Sequence, residues 1–341
     1  MKKFLSLLIL LLTLVLHVNA KTIVDMSGRE VYVKDNITKA YSASPPMMAL
    51  LYALAPEMMI GVNYKFLDVE KKFMLKETQE LPVIGGFFGD GQQANIEKVV
   101  ALKPDVIFAW DRTINPINDF TKTIEKFNIP VVQIRQNTLE DSIMSINLMG
   151  EILGRDNRAK TLSDYAIKSL LDVRLSVNTL PRDNKKIRVF LANGDDGLVT
   201  ECEGDMQSEI ITLAGGVNVH RCDTSQSTKR EKITLEKLYT YNPDVIFVRE
   251  KSFFDTLDNT SNWRNLKAFK ENKIYLTPSS PFAWLNRPPS FMRFLGLPWM
   301  HSKLYPEHFK FNEYEEIKKF YKLFLHVELS DNEVSKLLKG E

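Results

Sequence analysis

The sequence predicts an α/β fold of two parallel-sheet lobes joined by one long spanning helix, and three observations predict it. A helix-to-strand unit occurs twice: Ile96 to Trp110 (IEKVVALKPDVIFAW) and Leu235 to Arg249 (LEKLYTYNPDVIFVR) align without a gap and share seven of fifteen residues. Strand and helix patterns alternate on both sides of each copy, which is the order of a parallel sheet with crossover helices. Between the copies lies a helical stretch, Asp156 to Thr179, that contains neither Gly nor Pro.

Taken in chain order, the first twenty residues place Lys2 and Lys3 before an apolar run from Phe4 to Val18 and a small-residue ending, Val18-Asn19-Ala20. That order is expected of a secretory signal cleaved after Ala20. The run is shorter than the roughly 20 apolar residues that cross a bilayer, which weighs against an uncleaved anchor. No Cys stands at the expected cleavage point to carry a lipid, so a free periplasmic protein is expected. TIVDMSGREVYV then reads as a hairpin.

The first lobe, residues 21–154, offers strands at Ala40–Ser42 and Ile60–Val62 around the helix PMMALLYALA. In the first repeat, Ile96, Val99, Val100 and Leu102 recur at helical spacing and run into Pro104, which stops the helix before the buried strand VIFAW. Helix Asn118–Phe127 and strand IPVVQI follow. Thr138 with Asp141 three residues on opens the next helix, and Gly154 closes it. In the stretch 155–180, Leu162, Ala166, Leu170, Val173 and Val177 are spaced by four and three, and 24 residues at 1.5 Å each make a rod of about 36 Å. A flexible linker would be rich in Gly and Ser; this one is not. The second lobe, 181–341, repeats the alternation with strand IRVFLA, helix SEIITLAGG, the second repeat unit, helix WRNLKAFKEN and strand KIYLT. Each half is thus Rossmann-like in its alternation.

Composition narrows the function. Without Lys2 and Lys3 the chain carries 43 basic against 43 acidic residues, so nucleic acid and anionic membrane are poor partners. Cys202 and Cys222 are the two cysteines. In an oxidising compartment their disulfide is the economical reading, closing a loop worth about 3 kcal/mol of chain entropy, with two buried thiols as the alternative. Neither Cys has a partner at zinc-finger spacing. The stretch Gly85–Gly91 lacks the GK[ST] ending of a phosphate cradle, and no GxSxG, HExxH or Walker motif points to an enzyme. Asp195-Asp196 in NGDDGL reads as a turn.

The order of signal, hairpin, IEKVVALKPDVIFAW, spanning helix, EIITLAGGVNV and LEKLYTYNPDVIFVR resembles the helical-backbone periplasmic binding proteins of ABC importers, which carry iron-siderophores, cobalamin, haem and other metal complexes. The resemblance implies a monomeric binding protein, not an enzyme. It needs no cofactor of its own, and its partners are an inner-membrane permease dimer and a ligand containing a metal ion, iron being the expected one. It places the ligand between the lobes, on loops at the carboxyl ends of strands: 42–46, 85–93, 110–113, 193–205, 249–254 and 279–287. Those loops hold Phe87, Phe88, Trp110, Arg112, Arg249, Phe253, Phe254, Phe282, Trp284 and Arg287. Aromatic faces and guanidinium forks together suit a partly apolar, negatively charged chelate.

Each residue has a plainer alternative. Trp110 is equally suited to capping the core, Arg112 to a solvated loop, Arg249 to the charge run with Glu250 and Lys251, and Arg287 to a helix start near Ser290. The expected ligand is an anionic ferric chelate captured by Arg112, Arg249 and Arg287 with Trp110 and Trp284 on its apolar faces. A nickel chelate, cobalamin or an oxyanion such as molybdate stays open, as does a two-lobed transferase from another class. A bare metal ion is disfavoured by the scarcity of His. In the cobalamin-binding relatives a Glu early in the matching helix of each lobe docks on the permease, which assigns that role here to Glu97 and Glu236.

Overall fold

The computed structural model describes residues 20–87, 94–111, 118–181, 186–222, 230–259 and 262–341. The expected signal lies outside them apart from Ala20. The chain opens with an antiparallel hairpin of β1 (Ala20–Val24) and β2 (Glu30–Lys34), in which Thr22 pairs with Tyr32. Its alternation is the cause: Ile23, Val31 and Val33 face the core while Tyr32 faces water.

The first lobe is a parallel three-stranded sheet in the order β3 (Ala40–Ser42), β4 (Val106–Trp110), β5 (Val131–Ile134). Every residue of the three strands is buried, as a parallel sheet covered on both faces requires. Helix α1 (Pro45–Leu54) follows β3, α2 (Ile96–Ala101) precedes β4, and α3 (Asn118–Glu125) leads to β5. The run Ile60–Val62, expected as a strand, makes only one isolated bridge, Val62 to Val83, with another just before it from Ala40 to Met59. Three residues with a glycine at the centre give too little side chain to hold a ladder.

Helix α4 (Leu139–Ile152) begins at the Thr138–Asp141 capping box, and Gly154 turns the chain out of it at φ +63°. The spanning helix α5 (Asp156–Thr179) has the limits read from the sequence. It buries Leu162, Ala166, Leu170 and Val173, worth about 1.5–3 kcal/mol for each large side chain. Its approach to α4 is close: a Cβ on Gly150 would come within 2.2 Å of the Ala159 Cβ.

The second lobe carries a parallel sheet in the order β11 (Ile274–Leu276), β10 (Val245–Val248), β6 (Arg188–Ala192), β8 (Val217–Asn218). Beside it lies an antiparallel ribbon of β7 (Val199–Glu201) and β9 (Arg230–Lys232). Helices α6 (Glu209–Leu213) and α7 (Leu235–Tyr241) are its crossovers. The expected helix over 263–272 is instead a 3-10 turn at Trp263–Asn265, extended backbone at Leu266 and a single turn at Lys267–Lys270. Trp263, Leu266 and Ala268 must all reach the core, and steps of three and two do not share one helical face.

Three C-terminal helices, α8 (Arg293–Leu304), α9 (Glu313–Leu325) and α10 (Asp331–Leu338), complete the fold. Helix α8 packs on α5, where the Ser169 hydroxyl donates to the Phe294 carbonyl. Helix α9 reaches the first lobe: the Tyr52 hydroxyl donates to the Leu325 carbonyl at 2.7 Å, and Arg158 spans the Ala53 and Leu323 carbonyls. Both lobes therefore share one apolar core around α5.

Candidate functional site

The second lobe places two guanidinium groups in one interlobe cleft. Arg249 follows β10, and its N–H donates to the Ala192 carbonyl at 3.0 Å, extending the ladder by one residue and aiming the side chain off the sheet's carboxyl edge. Arg287 comes from the loop between β11 and α8. Asn286 pins that loop to the end of β6 by donating from Nδ2 to Asn193 Oδ1 at 3.0 Å. The cleft has a volume of about 360 Å3 and is lined by Arg249, Glu250, Lys251, Phe282 and Arg287 from the second lobe and by Tyr64 and Glu70 from the first.

The two arginines are held differently. Arg287 forks onto Glu201, Nε to Oε1 at 2.9 Å and Nη2 to Oε2 at 3.0 Å, and the Glu201 side chain is 0% exposed. Burial works against the Arg287 charge, yet the bonds and charge of Glu201 outweigh it and raise its pKa. Arg249 has the opposite balance. Burial pushes its pKa down and the charges of Arg230 and Arg287 add to the depression, while Glu250 and Glu201 oppose it. Its nearest carboxylate oxygen, on Glu250, stands 3.8 Å away. An anion entering the cleft would relieve this crowding of desolvated positive charge. Across the cleft, burial raises the pKa of the Tyr64 hydroxyl and of the Glu70 carboxyl, the latter partly offset by the hydrogen bond it accepts from the Leu67 N–H.

Among the other expected site residues, Trp284 is a correction. Its side chain is 0% exposed, with its ring edge-on to Trp299 at 5.9 Å and Nε1 donating to the Tyr321 hydroxyl at 3.4 Å. The proline-rich loop folds inward because Gly296 lets α8 approach it; a Cβ there would meet the Trp284 carbonyl at 2.2 Å. Trp110, 5% exposed, ends β4 inside the first lobe's core. Phe87 stacks on Phe120 with centroids 3.6 Å apart, and Phe253 packs edge-on to Trp263 at 4.9 Å, with Phe254 against the same cluster. Phe88 and Arg112 lie outside the described residues. Cys202 and Cys222 are joined as a disulfide, Cα to Cα 5.4 Å. Glu97 and Glu236 are exposed, each the second residue of its helix.

Three residues at or beside the cleft escaped the sequence reading. Glu201, buried behind Arg287, sits in the flagged 193–205 loop but carries no signal of its own. Tyr64 and Glu70, in NYKFLDVEKK, gave no signal beyond a solvated charge run. A second cavity, about 340 Å3, flanks the spanning helix between Tyr165, Lys168, Phe309 and Phe311.

A model of the family described as Periplasmic binding protein matches residues 76–281. The chain belongs to the periplasmic binding protein family. It is a substrate-binding component of the ABC-transporter type. The ABC transporter solute binding protein from Sulfurospirillum deleyianum shares 33% of residues and the fold with a TM-score of 0.85, over 93% of this chain and 99% of that one. The molybdate-binding protein MolA of Haemophilus influenzae is 28% identical over 85% of this chain and 86% of its own length. The iron-uptake system-binding protein of Bacillus subtilis is 27% identical over 72% of this chain and 75% of its own. These relatives are binding proteins, not enzymes. No helix among the described residues is long and apolar enough to cross a membrane.

Proposed function

We propose that this binding protein captures an anionic metal species in the periplasm and delivers it to an inner-membrane ABC permease, as a monomer with neither cofactor nor lipid anchor. The observation that carries the reading is Arg249, desolvated, crowded by Arg230 and Arg287, and lining the interlobe cleft beside Arg287. Guanidinium groups suit carboxylate, catecholate and oxyanion oxygens alike. A ferric chelate with carboxylate or catecholate arms is the first candidate, its apolar parts against Phe282 and Tyr64. The likeness to an iron-uptake binding protein supports it. A second reading, a molybdate-type oxyanion, is favoured by the molybdate-binding relative and by a cleft volume near the small end of ligand pockets.

The test is native mass spectrometry with metal analysis of protein purified from its own periplasm, followed by thermal titration with ferric citrate and with molybdate. A true ligand at 100 times its Kd should stabilise the protein by about 2.7 kcal/mol. If no metal co-purifies and neither anion shifts the melting temperature, the reading fails. For the permease, Glu97 and Glu236 present like charges at equivalent places on the two lobes. Replacing both by Ala should abolish uptake while ligand affinity stays unchanged; normal uptake would remove the docking role.

A further inference from the structure

The ribbon of β7 and β9 has a second face. Thr200 pairs with Glu231 and Glu201 with Arg230, so alternation sends Glu201 toward the cleft and Glu231 to the other side. There Glu231 meets Cys202, Cys222 and His220, and one ligand atom from each of the four lies within 4.8 Å of all the others. His220 Nε2 stands 3.3 Å from Cys222 Sγ and 3.2 Å from Glu231 Oε2. Ligand atoms on a tetrahedral zinc ion sit about 3.3–3.8 Å apart, given metal–ligand bonds of about 2.0–2.3 Å. The opposite ring nitrogen, Nδ1, is 2.9 Å from the Tyr241 hydroxyl, the outer partner that fixes the ring of a metal-binding histidine.

We propose that Cys202, Cys222, His220 and Glu231 form a redox-gated metal site, sealed while the disulfide stands and able to hold a soft divalent cation such as Zn2+ once a dithiol reductant opens it. The dithiol gives two electrons and two protons to the S–S bond, which becomes two thiols, and leaves as its own cyclic disulfide. The incoming cation then displaces the two thiol protons to solvent and is held by two thiolates, one neutral imidazole and one carboxylate. The Glu231 side chain is 42% exposed, which leaves the ion a way in from solvent. The sequence hid this set because the four residues sit at 202, 220, 222 and 231, without finger spacing, and only the fold of the ribbon brings them together.

The proposal is independent of the cleft's ligand and is tested with Co2+ as the probe. The mature protein is reduced with excess dithiol, desalted without oxygen and titrated, with near-ultraviolet circular dichroism checking that it keeps its fold. One equivalent of Co2+ should give a sulfur-to-cobalt charge-transfer band, removed by one equivalent of Zn2+, and should raise the melting temperature of the reduced protein. The oxidised protein should give no such band. His220→Ala should lose tight binding, and Tyr241→Phe should weaken it about 10- to 100-fold. No band in the reduced protein, a band indifferent to His220→Ala, or a band without a rise in melting temperature, the mark of thiols in unfolded chain, would each overturn the assignment.

Discussion

The two copies of the repeated unit part company at their last residue. Up to that point they do the same work: a capped helix, a stop at proline and a buried strand at the centre of a parallel sheet. Then the first ends in Trp110, 5% exposed in the core, and the second in Arg249, whose side chain is 30% exposed and lines the cleft. The repeat thus builds scaffold, and its last residue decides whether the strand end packs into the core or lines the cleft.

The largest expected effect separates those two roles directly. Trp110→Ala should cost about 3–5 kcal/mol of stability by opening a cavity in the first lobe. Denaturant unfolding would read it, and a loss below about 1 kcal/mol would remove Trp110 from the core. Next comes Arg287, where stability and binding meet. Arg287→Ala strands the buried Glu201 carboxylate and should cost about 3 kcal/mol of stability. It should also weaken the ligand roughly 10- to 150-fold through a lost charge-assisted contact. The double variant Arg287→Ala with Glu201→Gln should regain much of the stability and none of the affinity. If it regained neither, the fork would not be what holds the loop.

Arg249 sharpens the contrast. Arg249→Ala should weaken the ligand by the same roughly 10- to 150-fold. It should leave the melting temperature unchanged or slightly raised, because a desolvated guanidinium among like charges is removed. Glu250 is not orphaned, since it accepts from the Gly194 N–H at 2.9 Å. A fall in stability comparable to that of Arg287→Ala would show that Arg249 is structural as well.

How much of this was legible in the sequence follows the same division. Periodic apolar residues and turn chemistry are local signals, so the hairpin, the Thr138–Asp141 cap, the limits of the spanning helix and both PDVIF strands could be read directly. Trp284 misled because prolines mark a loop, and loops usually lie at the surface; only the close approach of α8 at Gly296 buries this one. Glu201 gave no signal at all, as a buried acid whose charge is met by an arginine 86 residues away. Arg249 could be placed at the cleft because it follows a repeated strand and Arg287 because it lies in a loop after the last strand, whereas Tyr64 and Glu70 line the cleft only through the packing of one lobe against the other.

The smallest expected effect asks whether the two repeats are equal as scaffold. Asn95 caps α2 by accepting from the Lys98 N–H at 3.1 Å, and Thr234 caps α7 by accepting from the Lys237 N–H at 3.2 Å. Each cap replaced by Ala should cost about 1 kcal/mol, and the two costs should add, since the caps sit in different lobes and share no partner. The second copy carries an extra signature. The Glu236 carboxyl is held below its ordinary pKa, first by its own backbone N–H and then by the Thr234 hydroxyl. A depressed folded-state pKa contributes stability above the unfolded value and loses it as pH falls through the folded one. Thr234→Ala should therefore move the Glu236 titration, followed by NMR, back toward the usual glutamate range without abolishing the shift. If Glu236 titrates identically in both proteins, Thr234 caps the helix through its contact with Lys237 alone, and the charge presented at this end of the second lobe is independent of the cap.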